Sequence, residues 1–148
     1  MKIKTSKCEI ILFFCCLCTV APLYVAAQKQ FVTEISYKKN LASQKRSSTL
    51  TLTQLRKDNV TASTKLKLAY VFHTNTKQKA RELTDQLETF GYQAEIKQHP
   101  SNTNLFLITG LTMQMQMSDN LVLEWTKVMC DIGYEFDCEF KSWSVPSH

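Results

Sequence analysis

The chain has 148 residues, 44% of them hydrophobic and 21% charged, which suits one domain with extensions and is too short for two. This is the balance of an ordinary globular protein and excludes a wholly disordered chain. The formal charge of +5 is unevenly spread. Residues 1–27 hold three Lys against one Glu, residues 28–65 eight Lys or Arg against two acids, and residues 66–148 seven against ten. A basic arm precedes a mildly acidic domain.

Lys2, Lys4 and Lys7 form a cationic start, and an uncharged apolar run from Ile10 to Ala27 ends in Val25-Ala26-Ala27-Gln28. Small residues at the last and third-last positions before Gln28 suit signal peptidase. The segment 1–27 therefore reads as a secretory signal, with the mature protein beginning at Gln28 in the periplasm or beyond. The alternative is an uncleaved inner-membrane anchor, since about 18 apolar residues reach the lower limit of a span. Cys15, Cys16 and Cys18 lack the context of a lipoprotein site. Cleavage would leave Cys130 and Cys138, either bridged across the turn between the last helix and strand or buried as two small hydrophobes.

Residues 28–48 show no sustained apolar period and carry Lys29, Lys38, Lys39, Lys45 and Arg46 with Phe31 and Tyr37. The expectation is a flexible, solvated arm, with contact to nucleic acid or an anionic lipid surface as the alternatives. The domain then spans 49–148. Ser47-Ser48-Thr49 can cap a short helix to Asn59 with Leu52 and Leu55 on one face. Asn59-Val60-Thr61 is formally a glycosylation sequon. Lys67–His73, apolar on both faces, predicts a central strand. Ala80, Leu83, Leu87 and Phe90 give a helix from Thr76 to Phe90, which Gly91 ends in the left-handed conformation. Tyr92, Ala94 and Ile96 alternate with polar residues as a half-buried strand, His99–Asn104 is a turn, and Leu105–Thr109 is a third strand. After a Met- and Gln-rich connector, Ser118 or Asp119 caps a helix to about Ile132 with Leu121, Trp125, Val128 or Met129, and Ile132 inward.

The last strand is expected over Gly133–Phe140. Tyr134, Phe136, Cys138 and Phe140 would point into the core, and Glu135, Asp137 and Glu139 outward. That acidic row is the candidate partner-binding face, against the plainer reading of a solvated one. The order strand, helix, strand, strand, helix, strand, after a short leading helix, predicts an α+β, ferredoxin-like βαββαβ sandwich. Four antiparallel strands would carry two helices on one face, with the first and third strands central.

Catalytic signals are sparse. His73, His99 and His148 have no paired spacing, and Gly91, Gly110 and Gly133 make no phosphate loop. Cys138 with His73 could form a nucleophile, but a buried structural thiol fits the pattern better. Met113, Met115 and Met117 resemble a soft-metal set without a His or Cys to complete it. The residues call for no cofactor, no metal and no enzymatic activity. The expected partner is a protein, and the membrane is one only if residues 1–27 are retained. Nucleic acid is not favoured, because the aromatic and Lys/Arg-Gly-Phe pattern of RNA-recognition modules is missing.

Over about Thr49 to Phe140 the chain resembles the regulator of ribonuclease activity B family, the ribonuclease E inhibitors. Leu52 and Leu55 match its leading helix, Tyr70 and Phe72 its aromatic first strand, and Gly91-Tyr92 its helix end. Gly133-Tyr134-Glu135-Phe136-Asp137-Cys138 matches a closing Gly-Gly-Glu-Tyr-Asp-Gly-Trp-Glu, with Tyr134 for the second Gly, Cys138 for the third and Glu139 for Trp. The resemblance implies a non-catalytic protein that binds and restrains ribonuclease E. An exported chain would instead turn the same domain on an envelope or extracellular partner.

Overall fold

The computed structural model describes residues 29–146. The segment 1–27, with its signal or anchor reading, lies outside the described residues, as does His148. Three helices, α1 (Glu34–Lys57), α2 (Lys77–Thr89) and α3 (Asp119–Glu135), accompany two antiparallel sheets. A two-stranded ribbon pairs β1 (Lys65–Leu66) with β5 (Met115–Gln116). The main sheet has the order β3 (Gln93–Gln98), β4 (Phe106–Leu111), β2 (Ala69–Thr74) and β6 (Glu139–Ser144), with every neighbour antiparallel.

The two strands expected to be central, β2 and β4, are central. Tyr70 and Phe72 of β2, Ile108 of β4 and Phe140 of β6 are fully buried together with Leu83 and Leu87 of α2 and Val122 and Met129 of α3. One sheet face is thus covered by helices. Tyr70 leans across β4 and donates from Oη to the Gln93 carbonyl at 2.7 Å, which is possible because Gly110 between them has no side chain. A Cβ there would lie 1.8 Å from that carbonyl oxygen.

All three helices end in the same motif. The residue after the C-cap is left-handed in each: Asn59 (φ 62°), Gly91 (φ 75°) and Asp137 (φ 54°). The next amide returns to the carbonyl five residues back, from Val60 to Leu55, Tyr92 to Leu87 and Cys138 to Gly133. Gly91 was legible in this role; Asn59 and Asp137 adopt it because their short polar side chains tolerate that region.

Two expectations need correction. Glu34–Arg46 is not an arm but the first part of a 24-residue helix, N-capped by Thr33 and packed on α3. Its inward side is polar in the middle: Gln44 and Ser48 are buried between the apolar Tyr37 and Leu41 on one side and Leu52 and Leu55 on the other, so no sustained apolar period announced it. The second concerns Gly133–Phe140. Residues 133–135 complete α3, Phe136 and Asp137 form the cap, and the strand begins at Glu139 and runs six residues. The sequence admits both periods there, because Phe136 follows Ile132 by four residues and alternates with Tyr134 and Cys138. Gly133 decides the packing. A Cβ on it would sit 2.6 Å from the Cys138 carbonyl oxygen and 3.0 Å from the Phe72 ring, so the last turn of α3 lies directly on β2.

Candidate functional site

The expected acidic row does not exist as one surface. Glu135 is exposed on the last turn of α3, Asp137 is largely enclosed, and Glu139 lies half-buried on β6 opposite His73. Asp137 is occupied internally. Its carboxylate accepts from the Phe31 N–H at 2.8 Å and the Val32 N–H at 2.6 Å, and pairs with Lys79 Nζ at 2.7 Å. Lys79 also donates to Asn75 Oδ1 at 2.9 Å, and Thr74 Oγ1 donates to the Asp137 carbonyl at 3.0 Å. Burial works against the charged carboxylate. The hydrogen bonds from Lys79, Val32 and Phe31 outweigh it and hold the group below the ordinary carboxylate range. Asp137 is a clamp that joins the N-terminal segment to α2 and β2.

Around this clamp α1 is fastened to the domain. Tyr37 stacks on Tyr134 with ring centres 4.7 Å apart and donates to Asp131, which is also paired with Lys127. That bond, with burial, raises the Tyr37 hydroxyl to about 12. Asn40 and Gln44 donate from their side-chain amides to the Phe140 and Lys141 carbonyls at 2.8 Å each, covering the outer edge of β6. Ser48 lies 2.9 Å from Thr126 Oγ1 and receives the Trp143 indole N–H at 2.7 Å. None of these residues stood out in the sequence. The one readable signal was the spacing of Tyr37, Leu41, Gln44, Ser48, Leu52 and Leu55, a helical face whose polar members concealed it.

Cys130 and Cys138 are both buried and unbonded. Burial raises each thiol to about 12. Cys138 donates weakly to the Phe136 carbonyl at 3.3 Å and sits on the core side, whereas His73 belongs to the opposite face of β2, so the two form no nucleophilic pair. Met117 is fully buried while Met113 is 58% exposed, which separates the thioethers. Among the described residues no three His, Cys, Asp or Glu side chains converge, and no helix is long and apolar enough to cross a membrane.

What remains unpartnered is the sheet face turned away from α2 and α3. Its centre is Ala69, Val71, Leu107, Thr109 and Leu111, all half-buried, with a shallow depression of about 390 Å3 over β2, β4 and β3. Acid–base pairs flank it on both outer strands, Glu95 with Lys97 at 2.8 Å and Glu139 with Lys141 at 3.2 Å. His73 and His99 meet edge-to-face at one end, 5.4 Å between ring centres. Burial, then Lys141 and His99, lower the His73 pKa. A small apolar centre with a charged rim has the anatomy of a protein–protein contact surface.

Fold and surface together define a small α/β domain with helices on one face of its main sheet and the other face uncovered. The sequence model of the regulator of ribonuclease activity B family matches residues 45–145, and the chain belongs to that family. The family comprises regulators of a ribonuclease and not catalysts, so the role it brings is regulatory and protein-binding. No curated protein sequence matches the chain. The matched range starts within α1, so Asp137, Phe140 and Lys141 inside it hold Phe31, Val32, Asn40 and Gln44 outside it.

Proposed function

We propose that the domain is a non-catalytic, protein-binding regulator that engages its partner through the open face of a ferredoxin-like sheet; export would make that partner an envelope or extracellular protein, and retention at the inner membrane a ribonuclease of the type its family restrains. The observation that carries this reading is the uncovered apolar centre of Ala69, Val71, Leu107 and Leu111 between two charged rims. The strand order β3-β4-β2-β6 supports the ferredoxin-like description. Of the three acids expected to dock a partner, Glu139 remains on this face. Asp137 acts from within, and Glu135 lies outside the sheet.

The test is ribonuclease E cleavage of an RNA substrate with the full chain or its Thr109→Arg variant added. Inhibition by the parent and its loss in a folded variant supports the face. Equal inhibition by both moves the surface elsewhere, and inhibition by neither removes ribonuclease E as the target.

For location, we favour export, on Lys2, Lys4 and Lys7, the apolar run and the Val25-Ala26-Ala27 ending. The target would then be an envelope or extracellular protein. The second reading keeps residues 1–27 as an anchor and the domain in reach of cytoplasmic ribonuclease. Intact mass separates them: a chain starting at Gln28 means export, and retained Met1 means the anchor.

A further inference from the structure

α1 has a second face that the domain leaves unused. Its inner side meets α3 and β6 through Tyr37, Asn40, Gln44 and Ser48. At one residue per 100°, Ala42, Ile35, Arg46, Lys39, Lys57 and Leu50 fall within about 80° of one another on the opposite side. All six are exposed, and Lys38 and Lys45, also exposed, lie beside them on the side toward α3. Glu34, the single acid of α1, is paired with Lys38 at 2.6 Å.

Ile35 at 82% and Leu50 at 67% are the most exposed large hydrophobic side chains among the described residues, and both belong to this stripe. They stand roughly 22 Å apart along the helix with Lys39 and Arg46 between them. In water these two side chains have no partner. On a lipid surface the cations would meet headgroup phosphates while Ile35 and Leu50 reached below them. A nucleic-acid backbone would use the cations alone, and the stripe has no exposed aromatic on which bases could stack. The apolar run ending at Ala27 lies six residues before Glu34, a reach of at most about 25 Å, so a retained run would hold α1 beside the bilayer.

We propose that the outer face of α1 docks the protein on an anionic lipid surface, with Lys38, Lys39, Lys45 and Arg46 on headgroup phosphates and Ile35 and Leu50 inserted. This face is distinct from the open sheet, so the two can be occupied together.

The experiment titrates the full chain with vesicles of phosphatidylcholine alone or mixed with phosphatidylglycerol. The apolar run contributes to both, and the extra partition onto the anionic vesicles measures α1. Replacing the four cations (K38Q, K39Q, K45Q, R46Q) should cut that increment by roughly tenfold or more, at unchanged circular dichroism. Leu50→Gln, which removes the apolar side chain without adding charge, should also lower it while leaving any binding to an RNA oligomer unaltered. No anionic increment in the parent, or an increment that survives the fourfold replacement, overturns the proposal. So does an increment indifferent to Leu50→Gln in a chain whose RNA binding follows the same cations, which would make the stripe a nucleic-acid surface.

Discussion

The C-terminal corner at Asp137 and the open sheet face lie on opposite sides of the same strands, and they treat polar groups in opposite ways. At the corner, charged and polar atoms are enclosed and bonded within the chain: Asp137 to Lys79, Val32 and Phe31, and Thr74 to the Asp137 carbonyl. On the open face, acids and bases pair only with neighbours on their own strand, and both pairs are a third or more exposed. An enclosed, satisfied group contributes to folding and is unavailable to a partner; an exposed pair contributes little and can be exchanged for a partner's charge. The difference assigns stability to the corner and makes the open face the place where the proposed recognition can occur.

The largest expected effect follows from breaking the corner. Asp137→Ala leaves the ammonium of Lys79 enclosed without its carboxylate and frees the Phe31 and Val32 amides. It should cost about 3 kcal/mol, read by urea denaturation. Reversing Glu135, Asp137 and Glu139 together would consequently destabilise the domain through Asp137, so it does not separate binding from folding. Acid should act on the same clamp. Because the folded Asp137 titrates below its ordinary value of 3.8, its stabilisation is complete above that value and lost as pH falls through the lower folded one. Asp137→Asn should flatten this part of the pH–stability curve.

Gly133→Ala should follow in size, at about 1 to 3 kcal/mol, because the added methyl would press on the Cys138 carbonyl and the Phe72 ring. Gly91→Val isolates the backbone term. A Cβ there meets only Met113, at an ordinary 3.5 Å, so the cost is that of a β-branched residue at φ 75°, roughly 1 kcal/mol. Thermal unfolding of the two variants should keep that order.

What was readable in the sequence follows the same division. β2, β4, α2 and the Gly91 stop were legible because their signals are local: apolar runs, a single stripe and a glycine. The last part of α1, with Leu52 and Leu55, was legible too; its first part was not, since a face of Asn40, Gln44 and Ser48 looks like solvent until the edge of β6 and Thr126 are placed against it. Asp137 was misplaced for a related reason. Its spacing from Glu135 and Glu139 fits a strand, and its left-handed backbone became visible only in the cap. The open face was hidden in another way. Val71, Leu107 and Leu111 occur in strands apolar on both faces, which looks like double burial although one side of the sheet lies uncovered.

The smallest expected effect on stability is the one that tests recognition. Thr109 is half-buried at the centre of the open face, flanked by Val71 on β2 and Glu95 on β3. An Arg in its place can extend over the depression and set its charge beside Glu95, so the fold should change by less than about 0.5 kcal/mol. A partner meeting a flat apolar centre would instead face a bulky, buried charge, and binding should weaken at least tenfold. Lys38→Gln, exposed on α1 and outside the open face, is the control, and should leave both quantities unchanged. Equilibrium unfolding and a binding isotherm on the three proteins decide the matter. Should Thr109→Arg bind like the parent, the uncovered sheet is only solvated, and the recognition surface has to be sought on another side of the domain.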